Sequence, residues 1–551
     1  MWPLTSARIL IIGLDGATLD LVEPWAHEGH LPHLARMMRE GCYGRLASTI
    51  HPITGAAWPS FMTGMNQGKH GLFDFVRRIP GSYNFELTYS ANISAPTLFE
   101  IASRHGKRVI SVNVPMTFPP RPVNGTMVSG LFAQAAPGIT YPHELYDEIV
   151  NLVGDYIIMP RYNRWTPDPL QDYVNQLHSS AEKHLRVAQY LMGRESWDLA
   201  CVVFISTDLA QHTFWKHMSE ADARFGNAIL DVYRQLDEYV GQLRALAGDN
   251  AMTIVMSDHG AGQLDSFVQL NRWLASHGFL HYLPQRTSWR ARMVRSAWAA
   301  WRHVLPPTLI GRIRARIGRR YDSLRDKMES TLFASRIDWP RTRAYSLGAC
   351  GNIFINLAGR EPQGIVQPGA EYDTVCQEIR DRLLTLADPE TGERLVANVF
   401  RRDQIYHGPH LNEAADLIIT WRDYRYWGRG RYDFDGPDVF HRQQKWDLSD
   451  LPLSGTHRPD GVFIAAGANI RPAGLLENVS ILDVAPTTLA ALGIPVPAEI
   501  DGRVLTAIFD SQPDVEVDRL GDSSYAITAD AAYSDEEAAA IEQRLKSLGY
   551  L

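Results

Sequence analysis

Cysteine is scarce in this 551-residue sequence, and its four cysteines show no C-x-x-C pair. Their wide spacing argues against a disulfide framework and against a zinc ribbon built on thiolates. The sequence also lacks an uncharged apolar run long enough to span a membrane, and no signal-peptide pattern opens it. We therefore expect a cytoplasmic protein with neither a signal peptide nor a transmembrane helix.

An excess of positive charge is missing as well, since the formal net charge is −8. The chain as a whole has no general attraction for nucleic acid or for an anionic membrane, so we expect no specific nucleic-acid partner. The 45% hydrophobic and 21% charged content is ordinary for a globular protein. The length accommodates several average domains, or one large α/β core with insertions.

Three apolar runs in this sequence each lead into an acidic residue. The runs and their acids are Ile9–Ile12 with Asp15, Cys201–Ile205 with Asp208, and Thr253–Met256 with Asp258. Continuous apolar runs are typical of parallel strands buried on both faces, and ligands of open α/β sheets gather beyond the carboxyl ends of such strands. Strand and helix patterns alternate up to about residue 264, which favours an α/β fold.

Imidazole and hydroxyl side chains accompany these acids. His212 follows Asp208 by four residues, so the two side chains share one face if a helix begins at the strand end. Asp258 and His259 form a second carboxylate–imidazole pair. Each pair alone occurs often by chance, and only their joint placement at strand ends favours a metal site. Zinc accepts these ligand types without cysteine. The candidate ligands of two metal ions are Asp15, Thr54, Asp208, His212, Asp258, His259 and His457.

Several motifs follow one another in an order that is specific for a family. They are the strand ending at Asp15, Thr54 ahead of Thr63-Gly64, Asp208 with His212, Asp258-His259, and Gly455-Thr456-His457. In these motifs the chain resembles the alkaline phosphatase superfamily, most closely its type I phosphodiesterase/nucleotide pyrophosphatase branch. The resemblance covers residues 8–264 and 340–510. It implies an α/β, alkaline-phosphatase-like sandwich in which helices flank a mostly parallel central sheet.

The resemblance also implies a role for each residue. It places Asp15, Thr54, Asp258 and His259 around one divalent metal ion, and Asp208, His212 and His457 around the other. Zinc is the expected metal, with manganese as the alternative. Thr54 would be the nucleophile, and the Gly55 N–H would donate to the phosphoryl group. The substrate would be an anionic phosphate ester, cleaved through a phosphothreonine intermediate.

One position departs from the family pattern. Nucleotide pyrophosphatases usually carry asparagine three residues after the nucleophile, whereas this chain has Ala57 there. Loss of that donor weakens the expectation of a nucleotide substrate and leaves two-metal phosphoryl transfer intact. Four other hydroxyls lie near Thr54 and are expected to be loop or cap residues: Ser48, Thr49, Ser60 and Thr63.

The composition changes sharply near residue 285. Residues 285–320 contain ten arginines, three tryptophans and no acidic residue. We expect residues 265–339 to form a helical insertion that caps the core, with attraction of anionic substrate and contact with anionic lipid heads as weaker alternatives. The acidic tail, 511–551, ends in a predicted helix whose Ile541, Leu545 and Leu548 would dock on the core or on a second subunit.

Several functions remain open at this point. The leading hypothesis is a two-metal hydrolase acting on a phosphodiester or a phosphomonoester. The alternatives are a phosphomutase of the same superfamily, a phosphodiesterase acting on lipid head groups at a membrane surface, and a non-catalytic binding protein. A sulfatase is disfavoured because the sequence contains neither C-x-P-x-R nor S-x-P-x-R.

Overall fold

The computed structural model describes residues 8–131, 133, 137–163, 166–283, 336–430, 438–441, 452–519, 538, 541, 542 and 545. The predicted Arg/Trp-rich stretch, 285–320, lies outside the described residues. None of the described helices is both long and apolar enough to cross a membrane.

Strands and helices alternate along the first half of the chain, as the sequence predicts. The strands up to residue 269 are β1 (Arg8–Leu14), β2 (Cys42–Ala47), β3 (Val76–Arg78), β4 (Phe85–Leu87), β5 (Val109–Val114), β6 (Gly125–Ser129), β7 (Thr140–Tyr141), β8 (Leu199–Phe204), β9 (Ala251–Met256), β10 (Gly260–Gln263) and β11 (Ser266–Gln269). The later strands are β12 (Ala344–Ser346), β13 (Ala349–Cys350), β14 (Asn352–Ile355), β15 (Val396–Arg401), β16 (Leu417–Trp421), β17 (Tyr426–Arg429), β18 (Phe440–His441), β19 (Gly455–Arg458), β20 (Asp460–Gly467), β21 (Gly474–Ser480), β22 (Val496–Pro497) and β23 (Val517–Asp518).

The described α-helices lie mainly between the strands of the first half. They are α1 (Leu19–His27), α2 (Pro32–Glu40), α3 (Thr54–Thr63), α4 (Gln67–His70), α5 (Leu98–Arg104), α6 (Leu145–Val153), α7 (Pro169–Arg194), α8 (Ser206–Ser219), α9 (Ala228–Ala247), α10 (Leu270–Ser276), α11 (Ala370–Leu384), α12 (Arg402–Ile405) and α13 (Val484–Ala491).

Nine strands form the central sheet, in the order β21-β2-β20-β9-β1-β8-β5-β6-β7. Its middle strands pair in parallel, from β9 through β1, β8 and β5 to β6. Strand β20 is antiparallel to β2 and β9, and β7 is antiparallel to β6. Strands β8 and β9 are buried along their whole length, which explains their continuous apolar sequences. The predicted α/β fold with a mostly parallel central sheet is confirmed.

The register of the middle strands brings their acidic ends side by side. Gly13 of β1 is opposite Val203 of β8 and Met256 of β9. All three strands therefore end at one edge of the sheet, within a few residues of Asp15, Asp208 and Asp258. Helix α8 begins two residues before Asp208, so that carboxylate lies in the first turn of a helix.

A second hydrophobic core contains mainly residues between 268 and 426. It is built on a four-stranded antiparallel sheet in the order β12-β14-β16-β15. Val268 of β11 and Trp273 of α10 are buried in the same core. The first residues of the predicted insertion, 265–339, therefore form a strand and a helix of this second core, while 284–335 lies outside the described residues.

The described part of the C-terminal tail packs on the main core. Strand β23 pairs with β22. Ile541 and Leu545, two of the three apolar residues of the predicted last helix, are buried in the main core, and Leu548 lies outside the described residues. Their burial leaves the predicted contact with a second subunit without support.

Candidate functional site

The seven predicted ligand side chains all lie at the carboxyl edge of the central sheet. All are buried, and the most exposed of them, Asp208, has 7% of its surface accessible. Two groups of side chains bring their ligand atoms within 4.8 Å of one another. The first group is Asp208, His212 and His457, and the second is Asp15, Asp208 and His259.

The first group consists of two imidazoles and one carboxylate. The Nε2 atoms of His212 and His457 are 2.9 Å apart, and Asp208 Oδ1 lies 3.3 Å and 3.4 Å from them. The Nδ1 atoms lie 2.9 Å and 2.7 Å from the carbonyl oxygens of Gly455 and Pro52, which only accept hydrogen bonds. Each proton therefore belongs on Nδ1, and both Nε2 lone pairs face one another. A bound cation would satisfy all three of these ligand atoms.

Three other candidate ligands, Asp15, Thr54 and Asp258, lie close to His259. Its Nδ1 is 3.0 Å from the Gly260 carbonyl oxygen, which again leaves Nε2 as the lone-pair atom. That Nε2 lies 3.2 Å from Thr54 Oγ1, 3.3 Å from Asp258 Oδ2 and 3.8 Å from Asp15 Oδ1. Three of the four side chains that the resemblance assigns to one metal ion thus lie within 3.8 Å of the Nε2 atom of the fourth, His259.

Three buried carboxylate oxygens at this site have no hydrogen-bond donor among the described residues: Asp15 Oδ1, Asp208 Oδ1 and Asp258 Oδ2. The other oxygens of Asp15 and Asp258 accept from Trp58 Nε1 at 2.9 Å and from the Gly16 amide at 3.2 Å. A buried carboxylate oxygen without a donor is costly unless a cation faces it. The donor set therefore fits divalent metal ions.

The pKa values of Asp15 and Asp258 reflect the crowding of negative charge at this site. Burial and the Asp258 carboxylate raise the pKa of Asp15 well above its ordinary value, and burial and Asp208 raise the pKa of Asp258 to about 7. Burial also opposes ionisation of Asp208, but His212 and His457 hold its pKa below the ordinary value. Neutralising this charge is what two divalent cations would do.

Thr54 is the first residue of helix α3. The amide groups of Thr54 and Gly55 donate to no acceptor within the described residues, whereas the Ala56 and Ala57 amides donate to the Ile53 carbonyl. Unpaired amides at a helix N-terminus, together with the helix dipole, form a site that favours an anion. The predicted donor, the Gly55 N–H, is therefore available beside the Thr54 hydroxyl.

The competing hydroxyls near Thr54 are occupied elsewhere. Ser48 Oγ donates to the Asp258 carbonyl at 2.5 Å, and Thr49 Oγ1 donates to the His51 carbonyl at 2.7 Å. The hydroxyls of Ser60 and Thr63 lie 2.9 Å from His70 Nε2 and 2.8 Å from the Pro59 carbonyl. Of these five hydroxyls, Thr54 is the one that contacts a side-chain ligand atom of the candidate set, His259 Nε2, whereas Ser48 contacts only the Asp258 carbonyl.

Sequence reasoning missed the residues that hold the ligands in place. Trp58 donates to the Asp15 side chain, and Thr207 Oγ1 donates to the Asp15 carbonyl at 2.5 Å. Ser257 Oγ donates to the Ala17 carbonyl at 2.7 Å. Trp58 had a usable signal, because it follows Thr54 by four residues and so shares its helix face.

Substituting Gly55 is expected to displace Thr54, the predicted nucleophile. A Cβ at this position would lie 2.7 Å from Cδ1 of the Phe75 ring, so the start of α3 or the ring must move. We expect Gly55→Ala to lower turnover by about 10²-fold, the typical effect of misplacing a reacting group by about 1 Å. Steady-state kinetics of Gly55→Ala, Phe75→Leu and the double variant would test this. A double variant no faster than Gly55→Ala would contradict the steric explanation.

The chain is similar to one known protein family and to several solved structures. The type I phosphodiesterase/nucleotide pyrophosphatase profile matches residues 9–436, and no curated protein matches by sequence. Phosphonoacetate hydrolase from Sinorhizobium meliloti 1021 in complex with phosphonoformate has a TM-score of 0.55 at 14% identity, over 89% of this chain and 97% of that one. Human ectonucleotide pyrophosphatase/phosphodiesterase 5 has a TM-score of 0.49 at 14% identity, over 92% of this chain and 100% of that one.

The structural likeness and the family match support different conclusions. The likeness to phosphonoacetate hydrolase, at 14% identity, shows the fold alone. The family match contains six of the seven candidate ligands and ends before His457, whose place beside Asp208 and His212 rests on geometry. The match spans well over half of the chain. The chain therefore belongs to the type I phosphodiesterase/nucleotide pyrophosphatase family of metal-dependent phosphoric ester hydrolases, in the alkaline phosphatase superfamily.

Proposed function

We propose that this protein hydrolyses a phosphate ester with Thr54 as the nucleophile and two divalent metal ions, with zinc expected and manganese as the alternative. The observation that carries the proposal is the position of Thr54 Oγ1, 3.2 Å from the His259 lone-pair nitrogen and at the start of helix α3. A threonine hydroxyl is a weak nucleophile at neutral pH, so it needs activation by a neighbouring cation.

The residues divide into two ligand sets. Asp15, Thr54, Asp258 and His259 would hold one ion, and Asp208, His212 and His457 the other. Asp208 also comes within ligand range of Asp15 and His259, so it lies between the two sets. When bound, the ions would lower the pKa of the Thr54 hydroxyl and neutralise the negative charge that develops on the phosphoryl and leaving oxygens.

The chain's own groups then carry out a displacement in two halves. Thr54 Oγ1 attacks phosphorus, forming a Thr–O–P bond while the bond from phosphorus to the leaving oxygen breaks in line, and the hydroxyl proton departs with the leaving oxygen. The Gly55 N–H, unpaired at the start of α3, donates to a phosphoryl oxygen. Water then attacks the phosphothreonine, which returns a proton to Thr54 and releases the phosphate product.

The substrate is proposed to be a small phosphodiester in preference to a phosphomonoester. Three of the seven candidate ligands are buried carboxylates, so the surface that would meet the substrate already carries concentrated negative charge. A monoester dianion brings more negative charge to this surface than a diester monoanion. Ala57 is fully buried and offers no side-chain donor, so the asparagine contact of nucleotide pyrophosphatases has no equivalent at that position.

Two chromogenic esters distinguish these substrates. We expect the metal-loaded enzyme to cleave bis-p-nitrophenyl phosphate at least about tenfold faster than p-nitrophenyl phosphate, which corresponds to a difference of about 1.4 kcal/mol in activation free energy. Metal analysis of the same sample should find two divalent ions per chain. Faster cleavage of the monoester would contradict the diester preference. Two bound ions with no turnover of either ester would instead favour a phosphomutase or a non-catalytic binding protein.

A further inference from the structure

Trp58 connects the nucleophile helix to a candidate metal ligand. Its indole ring is fully buried, and Nε1 donates to Asp15 Oδ2 at 2.9 Å. The other oxygen, Asp15 Oδ1, lies 3.8 Å from His259 Nε2 and has no donor among the described residues. The two oxygens of Asp15 therefore have different neighbours: Oδ2 accepts from the indole, and Oδ1 faces the lone-pair nitrogen of His259.

The ring of Trp58 is held by close packing on strand β1. A Cβ at Gly13 would lie 2.5 Å from Trp58 Cη2 and 2.8 Å from Val203 Cγ2, so only glycine leaves room for the ring there. On its other side the ring meets Phe61 edge to face, with centroids 5.5 Å apart and planes at 88°. Gly13 lies two residues before Asp15, so the ring that packs on Gly13 also reaches the Asp15 carboxylate.

We propose that Trp58 is a positioning residue that presents Asp15 Oδ1 to the metal ion by engaging Oδ2. The inference rests on the proposed function and adds to it. An indole N–H can only donate, so its bond to Oδ2 persists when a cation binds Oδ1. Donors of this kind fix the orientation of metal ligands and strengthen the site. Since Trp58 and Thr54 are four residues apart on α3, one helix sets both the nucleophile and the Asp15 carboxylate.

The test measures metal affinity directly, without turnover. EDTA-treated wild type and Trp58→Phe are titrated with Zn²⁺ by calorimetry, and with Co²⁺ by its visible absorption. In the wild type we expect two binding events. In Trp58→Phe we expect one event to weaken by about 10- to 100-fold, the usual effect of removing a hydrogen bond to a metal ligand, and the other to keep its affinity. A loss of only one event separates a role at Asp15 from general loosening.

Two further variants distinguish the hydrogen bond from packing. Phe61→Leu removes the edge-to-face contact with Trp58 and leaves the hydrogen bond to Asp15 in place, so both metal affinities should stay at the wild-type values. Replacing Trp58 with β-(3-benzothienyl)alanine keeps the bicyclic shape and removes the N–H, so it should reproduce the loss even if Trp58→Phe fails to fold. Wild-type affinity in the benzothienyl variant, or equal losses in Phe61→Leu, would overturn the role of Trp58 while leaving the proposed function intact. A folded wild type that binds no divalent metal would overturn both.

Discussion

Thr54→Ala is expected to abolish phosphate-ester cleavage and to leave most metal binding in place. Of the five nearby hydroxyls, the variant removes the one that contacts a side-chain ligand atom of the candidate metal site. We expect kcat for bis-p-nitrophenyl phosphate to fall by at least about 10³-fold, as it does when a nucleophile is deleted. The remaining ligands, three acids and three histidines, are untouched, so metal content should stay near two ions per chain. Kinetics and metal analysis on the same preparation would measure both effects.

Two matched variants make this result specific to the Thr54 hydroxyl. Thr54→Ser keeps the hydroxyl and should recover part of the turnover. Thr63→Ala removes the hydroxyl at the other end of α3, which donates to the Pro59 carbonyl, and should keep wild-type kcat. Trapping a labelled phosphoryl group on Thr54 in an acid quench would identify the covalent intermediate. Full activity in Thr54→Ala would assign the attack to another group.

The positions of the three acids could be predicted from the sequence because local patterns carry them. Uninterrupted apolar runs mark strands buried on both faces, and parallel strands end at one edge of a sheet. Asp15, Asp208 and Asp258 each follow such a run, and the strands β1, β8 and β9 are direct neighbours. The helix that begins at Ser206 then brings His212 to the same side as Asp208.

His457 could not be placed by local patterns. It lies on β19, which pairs antiparallel with β10, and its partner in that register is Ala261. Because β10 begins directly after His259, this pairing brings His457 onto the His259 ring, with centroids 3.6 Å apart. A two-stranded pairing between segments nearly two hundred residues apart leaves no periodic signal in either one, so only the family motif indicated this residue.

The second core was also beyond sequence reasoning. Its strands are short, and the sheet order β12-β14-β16-β15 depends on pairings between distant segments. The predicted insertion began at residue 265, although the arginine-rich composition begins only near residue 285. In the structure, β11 and α10, which lie between these two positions, pack into the second core. Trp58 was missed for another reason. The apolar sequence of α3 predicts only a buried helix, and the hydrogen bond from Trp58 to Asp15 depends on tertiary packing.

Asp258→Asn is expected to stabilise the metal-free protein and to inactivate the metal-loaded one. The change keeps the side-chain shape, and the asparagine oxygen can still accept from the Gly16 amide, as Asp258 Oδ1 does at 3.2 Å. The new amide nitrogen would take the place of Asp258 Oδ2, which lies 3.3 Å from the His259 lone-pair nitrogen and lacks a donor. A repulsive contact thus becomes a hydrogen bond, and one of three crowded buried negative charges disappears.

The change in the free energy of unfolding caused by Asp258→Asn should have opposite signs in the absence and in the presence of metal. In EDTA we expect the free energy of unfolding to rise by about 1–2 kcal/mol, the gain typical when a group kept for function is replaced. In Zn²⁺ the variant should be less stable than the wild type and inactive, because each tenfold loss of affinity removes about 1.4 kcal/mol of ligand stabilisation.

Asp416→Asn is the matched control for Asp258→Asn. Asp416 is equally buried, but Arg360 contacts both of its oxygens, at 2.8 Å and 2.6 Å. Removing this paired charge should destabilise the protein by about 3–5 kcal/mol with or without metal. Urea unfolding of both variants in EDTA and in Zn²⁺ would measure the four values. If Asp258→Asn destabilises the metal-free protein as Asp416→Asn does, Asp258 is a structural carboxylate with a partner of its own; if the sign reverses with zinc, its charge is held in the fold for the cation.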